Sequence, residues 1–154
     1  MTYLLDTNAV IALLKNQPNA VRKQLRRAAA KGASIRVSSV VLFELWYGVA
    51  RSERRRENAE RLRVFLSGTI GVVPFDEEDA MHAGDLCATL EAVRTPIGTY
   101  DLLIAAQALR IGAMLVTANV SEFARVSGLV WQDWVAKRLT ASRPVVSRRG
   151  AGCA

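Results

Sequence analysis

The chain alternates short, mostly apolar runs with longer stretches in which apolar residues recur at helical spacing. The short runs predict β-strands at residues 2–5, 35–37, 70–73 and 114–116, with a further short strand at 129–131. Strands that are apolar on both faces and alternate with helices are typical of a parallel sheet covered on each side. The pattern therefore predicts an α/β fold with a mainly parallel central sheet.

Capping residues and helix breakers mark where the predicted helices begin and end. Asn8 is expected to cap the first helix, and Pro18 to stand in the first turn of the second. Ser38 or Ser39 is expected to cap the third helix, and Thr99 the last one. With these signals, helices are predicted at residues 8–14, 18–31, 39–50, 54–66, 76–93 and 99–110.

The length and composition fit one cytoplasmic domain. About half of the 154 residues are hydrophobic, which is enough for a hydrophobic core that is stable without disulfide bonds. Cys87 and Cys153 lack the spacing of a metal site, and a lone His82 argues against a histidine relay or a multi-histidine zinc site. No apolar run approaches the roughly 18 residues of a membrane helix, and the N-terminus lacks a signal-peptide pattern. We therefore expect a domain over residues 1–136 and a basic, loosely ordered tail over residues 137–154.

The charge is strongly positive and unevenly distributed. Twenty-one Lys and Arg residues against fourteen Asp and Glu residues give a formal net charge of +7. The bases form three clusters: Arg22, Lys23, Arg26, Arg27 and Lys31; Arg51, Arg54, Arg55, Arg56, Arg61 and Arg63; and Arg143, Arg148 and Arg149. A polyanionic partner such as a nucleic acid would explain them. Solvated helix faces are the alternative, because Glu53, Glu57 and Glu60 partly neutralise the second cluster.

Several polar residues fall where one edge of the predicted sheet would collect them. Asp6 follows the first strand, and Thr117 and Asn119 follow the strand at 114–116. Glu44 lies early in the helix after the second strand, and Asp101 opens a helix that leads back toward the sheet. Ligands of open α/β sheets bind outside the carboxyl ends of the strands. These residues are therefore candidates for one shared site.

Each acid also has a purely structural interpretation. Glu44 is the only charge in an otherwise apolar helix, and a salt bridge to Arg51 or another arginine would satisfy it. Gly48, one turn on, would instead leave open space beside the carboxylate. Asp101 could be a first-turn acid favoured by the helix dipole, and Asp6 a strand-end residue that bonds to its own turn. Their convergence on one edge favours a functional site.

Carboxylates gathered at one edge repel one another unless they are protonated or a cation neutralises them. Oxygen ligands without thiolate or imidazole favour a hard metal, Mg²⁺ or Mn²⁺. Such a metal activates a water and stabilises the charge of an in-line displacement at phosphorus. Together with a basic surface, this set predicts metal-dependent phosphodiester hydrolysis.

Four sequence blocks carry a resemblance to a known family. They are Leu4-Leu5-Asp6-Thr7-Asn8, Phe43-Glu44-Leu45 with Gly48, the block 96–108 around Tyr100-Asp101, and Val116-Thr117-Ala118-Asn119 through Glu122-Phe123, continuing to Gly128-Leu129 and Trp134. In this order, over about residues 3–135, they resemble the PIN-domain toxins of the VapC type. The block around Asp101 is the most specific of the four.

The resemblance implies a three-layer α/β/α sandwich with a mainly parallel sheet, and a homodimer. It also implies Mg²⁺-dependent cleavage of RNA, with transfer RNA as a fitting target, and inhibition by a cognate VapB-type antitoxin. By motif position, Asp6 and Asp101 would be the metal ligands and Glu44 would complete the acidic triad. Hydrogen bonds that shape the site would come from Thr7, Asn8 and Thr117.

The chain departs from the family at its fourth acidic position. Many members carry Asp where Asn119 stands, and an amide supplies an oxygen but no charge. Glu122 is close by in sequence and is a candidate substitute. We therefore expect Asn119 as the fourth residue of the catalytic site, and a single bound metal.

Other functions fit parts of the pattern. A haloacid-dehalogenase-like phosphatase also begins with a strand and an Asp, but it needs a second acid where Asn8 stands. A non-catalytic PIN-like module that binds RNA or protein is the main alternative, and the neutral Asn119 supports it. A DNA-binding regulator would show a recognition-helix pattern, which is missing here. Trp46, Tyr47 and Trp131 fit core packing or dimer contacts, with base stacking as the alternative.

Overall fold

The computed structural model describes residues 1–136 and the backbone of residues 138–139; the rest of the predicted tail lies outside the described residues. The strands are β1 (Thr2–Leu5), β2 (Ser34–Ser38), β3 (Gly71–Val73), β4 (Met114–Val116), β5 (Trp131–Asp133) and β6 (Arg138–Leu139). The helices are α1 (Thr7–Lys15), α2 (Asn19–Ala30), α3 (Ser39–Arg51), α4 (Arg55–Leu66), α5 (Glu77–Ala92), α6 (Thr99–Arg110) and α7 (Val120–Phe123). None of the helices in this part of the chain is long and apolar enough to cross a membrane.

The strands form one sheet in the order β3-β2-β1-β4-β5-β6, parallel except for the two-residue β6. β1 is central, and Leu5 is in register with Val37 of β2 on one side and Val116 of β4 on the other. The chain builds β2 and β3 on one side of β1 and then crosses to β4 on the other. The strand order therefore reverses between β1 and β4, which makes their carboxyl ends the topological switch point where ligands of such sheets bind. The predicted α/β class with a mainly parallel sheet is confirmed.

Both faces of the sheet are covered. Leu4 and Leu5 are consecutive, so their side chains leave opposite faces of β1, and both are fully buried. The same holds for Leu115 and Val116 of β4. Burial on both faces is why these strands are apolar throughout rather than alternating.

Several helix starts differ from the predicted capping. Asp6, not Asn8, caps α1, because the helix begins directly after β1 and the Asp6 carboxylate accepts from the Ala9 amide. Of the two serines expected as candidates, Ser38 caps α3. Pro18 occupies the cap position of α2 rather than its first turn. α6 begins after Gly98 with no side-chain cap from Thr99.

The last parallel strand and α7 also differ from expectation. β5 covers Trp131–Asp133, two residues later than the predicted 129–131. It pairs with β4 through Leu115↔Trp131, and that register sets its position. α7 is a single turn that follows Asn119, too short to give a periodic signal in the sequence. Both differences bear on the site, because Asp133 ends β5 and Glu122 lies in α7.

α6, the helix that carries Asp101, is held to α5 by a buried ion-pair network. Asp79 of α5 is fully buried and accepts from Arg110 Nε at Oδ1 and from Gln107 Nε2 at Oδ2, the latter at 2.9 Å. Gln107 Nε2 also donates to the Pro74 carbonyl at 3.0 Å. Burial raises the pKa of Asp79, but the bonds from Arg110, the Asp76 segment and Gln107 outweigh burial and place its pKa below the ordinary value. The network therefore fixes how α6 lies against α5.

Candidate active site

Asp6 lies at the switch point of the sheet and is almost fully buried, with 3% of its surface exposed. Its Oδ1 accepts a 2.8 Å hydrogen bond from the Ala9 amide at the start of α1. The side chain of Thr117, which follows β4, bonds to the same carboxyl group. The start of α1 and the end of β4 therefore both fix the orientation of Asp6.

Glu44 is partnered by a hydroxyl and not by an arginine. Thr7 Oγ1 donates a 2.8 Å hydrogen bond to Glu44 Oε1, which joins the start of α1 to the middle of α3. Among residues 1–136 no salt bridge to Glu44 is formed, and Arg51 Nη1 donates instead to the Tyr47 hydroxyl at 3.3 Å. The salt-bridge interpretation of Glu44 is therefore wrong. Gly48 does leave open space, since a Cβ there would meet no atom within 4 Å.

Asp101 is surrounded by polar groups from the segment after β4. Asn119 Nδ2 donates to Asp101 Oδ2 at 3.1 Å, so the amide acts here as a hydrogen-bond donor to the acid. The Glu122 carboxyl also bonds to the Asp101 side chain. Its Oε2 accepts from the Gly98 amide at 2.9 Å, at the N-terminus of α6. Glu122 thus lies beside Asp101, and the predicted proximity of Asn119 and Glu122 to the site holds.

The electrostatics of the two aspartates are unusual. Burial, opposed by bonds from Thr117 and Ala9 and reinforced by the charges of Glu44 and Asp133, raises the pKa of Asp6 to about 6. Burial also raises the pKa of Asp101 to about 6, with Glu122, Asp6 and Glu44 adding to the effect. Each acid therefore experiences the negative charge of the others, and a cation bound between them would relieve it.

The donor set fits a hard divalent cation with few protein ligands. Within residues 1–136, no three His, Cys, Asp or Glu side chains are arranged to hold a metal ion together. Mg²⁺ is commonly bound by one or two carboxylates with waters filling the remaining positions. The two aspartates of raised pKa match that pattern, whereas a three-carboxylate cage does not.

The structure does not bring the predicted residue Asn8 into hydrogen-bonding contact with the other site residues, and the sequence pattern did not single out Asp133, which lies close to Asp6. Asn8 lies in the first turn of α1 with an exposed side chain that makes no hydrogen bond to the described residues. Asp133 is 2% exposed, its charge raises the pKa of Asp6, and its Oδ1 accepts from the amides of Val135 and Ala136. The rule that singled out Asp6, an acid at a strand end, would also have found Asp133. It failed because the last strand was predicted two residues too early.

Exposed aromatic side chains lie beside the acids. Phe43 and Tyr47 of α3 stack with ring centroids 6.3 Å apart, and Phe43 contacts Tyr100 of α6 at 5.5 Å. All three are about half exposed. The other two aromatics named from the sequence differ: Trp131 is buried, and Trp46 is partly buried under the guanidinium of Arg63.

Many of the basic residues are engaged within the protein. Arg54 and Arg61 both pair with Glu57, and Arg63 pairs with Glu60, as the solvated-face interpretation of the second cluster expected. In the first cluster, Arg22 Nη2 donates to the Leu13 carbonyl at 2.7 Å and its Nε to Asn16 Oδ1 at 2.8 Å. Arg22 therefore helps to close the C-terminus of α1, and the charge pattern alone overstates the surface free for a polyanion.

Comparison with known proteins identifies the family of the chain. The PIN domain family model matches residues 3–129. Ribonuclease VapC2 of Rickettsia felis and the tRNA(fMet)-specific endonuclease VapC of Shigella flexneri are each 37% identical to the chain over 134 residues, covering 87% of this chain and 98% of the relative.

Solved structures show the same fold. The crystal structure of VapBC2 from Rickettsia felis bound to a promoter DNA fragment matches with a TM-score of 0.81 at 36% identity, covering 87% of this chain and 99% of that one. DNA-bound VapBC from Salmonella typhimurium matches with a TM-score of 0.80 at 34% identity, covering 87% and 98%. The chain therefore belongs to the PIN-domain family, and within it to the VapC ribonucleases of VapBC toxin–antitoxin systems.

Proposed function

We propose that the protein is the toxin of a type II toxin–antitoxin system and acts as a Mg²⁺-dependent endoribonuclease at the edge formed by Asp6, Glu44 and Asp101. The observation that carries the proposal is the pairing of the buried Asp6 with the partly buried Asp101 from a distant part of the chain, each with a pKa of about 6. Acids whose pKa is raised in this way by burial and by one another mark functional sites. Membership of the VapC ribonucleases supports the same conclusion.

In this proposal Asp6 and Asp101 would hold one Mg²⁺, with Mn²⁺ as a substitute, and the ion would supply an activated water and neutralise phosphate charge. The Ala9 amide and the Thr117 hydroxyl keep Asp6 oriented. Asn119 holds one oxygen of Asp101. Glu44, which Thr7 keeps in place, would orient the attacking water and accept a proton from it.

The proposed substrate is RNA, with transfer RNA as the class to test first. A relative at 37% identity is named a tRNA(fMet)-specific endonuclease, and the net charge of +7 suits a polyanion. Arg55 and Arg56 make no ion pair with the described residues, so they are free to contact a phosphate backbone. A protein that cleaves transfer RNA would act in the cytoplasm. We assign the catalytic domain to residues 1–136.

The proposed antitoxin site is a groove between α1, α3 and α4. Two adjoining cavities of about 800 and 240 Å³ share Leu14, Lys15 and Arg61, and the smaller one reaches Glu44 and Gly48. Val64, 62% exposed, lies in the wall of the larger one. An apolar antitoxin segment laid in this groove would end at the catalytic edge and block it. The VapBC complexes among the structural relatives support a cognate VapB-type partner.

The proposed homodimer has a candidate surface in Phe43, Tyr47 and Tyr100. Exposed, mutually contacting aromatic side chains on a small protein commonly mark an interaction site. The patch adjoins Glu44 and Asp101 in sequence, so dimer formation there would place two sites near each other. Sedimentation of wild type and of Phe43→Asp at equal concentration tests it, with loss of dimer in the variant as the expected result.

A growth experiment tests the function in cells. The protein is expressed alone, with the short gene expected beside its own, and as Asp6→Asn. Arrest that requires Asp6 and is relieved by the neighbouring gene is the expected result. Arrest unaffected by Asp6→Asn would contradict catalysis and favour the non-catalytic binding module.

A cleavage assay tests the chemistry directly. Purified wild type is incubated with total transfer RNA in Mg²⁺, in Mn²⁺ and in a chelator, beside Asp101→Asn. Asp85→Asn is the matched control, because Asp85 is an exposed acid of α5 outside the site. We expect cleavage that needs the metal and Asp101 but not Asp85. Wild-type cleavage by Asp101→Asn would refute the metal assignment.

A further inference from the structure

A cavity of about 360 Å³ lies next to Asp6 on the α1 side of the sheet edge. Its walls are α1, the turn into α2, and the residues that follow β4 and β5. Ala9 and Thr117, whose amide and hydroxyl bond to the Asp6 carboxyl, both line it. The volume is at the low end of the about 300–1,000 Å³ typical of small-molecule sites. The cavity therefore shares a wall with the proposed catalytic site without being part of it.

The cavity is lined by apolar walls and a polar rim, and the buried Thr117, Asp133 and Trp134 also line it. Ile11, Ala12 and Val116 give apolar walls. Asn8, Lys15 and Gln17 give polar side chains that are exposed and make no hydrogen bond or ion pair with residues 1–136. Neighbouring Arg22, in contrast, is occupied by Asn16 and the Leu13 carbonyl. Two amides and one ammonium are thus available at the rim of an apolar recess.

This combination selects the kind of ligand. A flat, largely apolar ring fits between apolar walls, and side-chain amides both donate to and accept from the edge of such a ring. The ammonium of Lys15 suits a phosphate attached to it. An apolar protein side chain would use the walls but would make no use of the two amides and the ammonium.

We propose that this cavity is a nucleobase pocket, which takes one unpaired base of the RNA next to the phosphate that lies at Asp6 and Asp101. The inference rests on the proposed function for the identity of the strand. It adds that the enzyme selects an RNA segment whose base is free to leave its stack, as single-stranded loops allow. The polar rim from Asn8 to Gln17 would then contribute to sequence preference.

The test measures binding in an Asp101→Asn background, where we expect no cleavage. Short single-stranded RNAs carry one abasic nucleotide at each position in turn, and affinity is measured by fluorescence anisotropy. One abasic position is expected to weaken binding roughly tenfold, in line with the value of one well-held base. Ala12→Leu, which fills the cavity, should remove this sensitivity. Ala80→Leu, at an exposed position of α5, is the matched control and should keep it.

Gln17→Ala gives a second variant that cannot fill the cavity, in case Ala12→Leu fails to fold. It is expected to reduce the effect of the same abasic position. Equal affinity for every abasic RNA, or a sensitivity that survives both variants, would overturn the pocket. So would a loss of antitoxin affinity in Ala12→Leu with an unchanged abasic profile, because the cavity would then be a protein site.

Cleavage by the protein with Asp101 intact separates this inference from the proposed function. Metal-dependent cleavage without any base sensitivity would contradict the pocket alone. Base-sensitive binding without cleavage would support the pocket and contradict the proposed catalysis. Cleavage of a random RNA pool whose preference for one flanking base is lost in Ala12→Leu would support both.

Discussion

Thr7 Oγ1 donates a 2.8 Å hydrogen bond to Glu44 Oε1 and so joins two residues of the proposed site that are far apart in sequence. Thr7 directly follows Asp6, so the same short segment places one acid and holds another. The bond directs Glu44 to the sheet edge, although Lys15 and Arg61 line the same groove. Within residues 1–136 no cation is paired with this carboxylate, so its negative charge is available to a bound metal or water.

Replacing Thr7 tests this positioning role. Thr7→Val removes the donor at nearly constant shape, and we expect kcat for RNA cleavage to fall roughly tenfold with little change in KM, as for other residues that orient a ligand. Thr7→Ser restores the hydroxyl and should restore most of kcat. Equal losses in Val and Ser variants would show that shape, not the hydrogen bond, matters at this position.

The raised pKa of Asp6 predicts an unusual pH dependence of stability. The folded pKa of about 6 lies above the ordinary 3.8, so the folded protein holds this proton more tightly than the unfolded chain. That stabilisation is complete below about 3.8 and is lost as the pH rises through about 6, a difference of about 3 kcal/mol. We therefore expect the metal-free protein to lose free energy of unfolding mainly between about pH 4 and pH 6.5 through this residue.

Urea unfolding without metal measures the effect. Asp6→Asn keeps an oxygen to cap α1 but carries no charge, so the variant should be more stable than wild type by about 1–3 kcal/mol at pH 7.5 and show a smaller loss with pH. Asp85→Asn, exposed on α5, is the control and should follow wild type. Parallel pH curves for wild type and Asp6→Asn would contradict the assigned cause.

Asn119→Asp should change how the site binds metal. Asn119 now donates to Asp101 Oδ2, and an aspartate there would replace that donor with a further negative charge. We expect the metal concentration for half-maximal cleavage to fall roughly tenfold, measured with Mg²⁺ and Mn²⁺. Asn119→Ala removes the donor without adding charge and should raise that concentration. A shift in the same direction for both variants would show that the donor, not the charge, controls metal binding.

The ion pair between Asp79 and Arg110 lies away from the proposed site, and we predict that it contributes to the free energy of unfolding. Asp79→Asn leaves the guanidinium of Arg110 without its buried partner, and we expect a loss of about 3 kcal/mol in the free energy of unfolding. Glu78→Gln is the matched control, because Glu78 pairs with the same arginine at 3.3 Å but is 72% exposed. It should cost less than about 1 kcal/mol. The pKa of Asp79 is lowered, so its contribution is present above the ordinary pKa and is lost as the pH falls through the folded value. Equal losses in the two variants would show that burial of Asp79 adds nothing.

Part of the site follows from the chain's own pattern. An acid directly after a buried strand, as with Asp6, lies at the carboxyl edge of a parallel sheet whatever the details of packing. Runs that are apolar on both faces imply covered strands, and β1 and β4 are covered as expected. Asp101 and Glu44 stand out because a charge within an apolar helix needs a reason. The sequence alone therefore determined the class of fold, and it singled out the sheet edge and the three acids on which the proposed site rests.

The tertiary structure decided which groups touch. The sequence predicted Asn119 as the fourth residue of the catalytic site, able to supply an oxygen, but packing of α7 against the start of α6 makes it a donor to Asp101. Asp133 acts on Asp6 only because β5 pairs two residues later than its apolar run suggests. The Thr7–Glu44 bond, the raised pKa values and the cavity beside Asp6 likewise depend on distances between segments remote in sequence. Hydrophobic periodicity records which residues are buried, whereas hydrogen bonds and charge interactions depend on ångström-scale separations that only the packed chain sets.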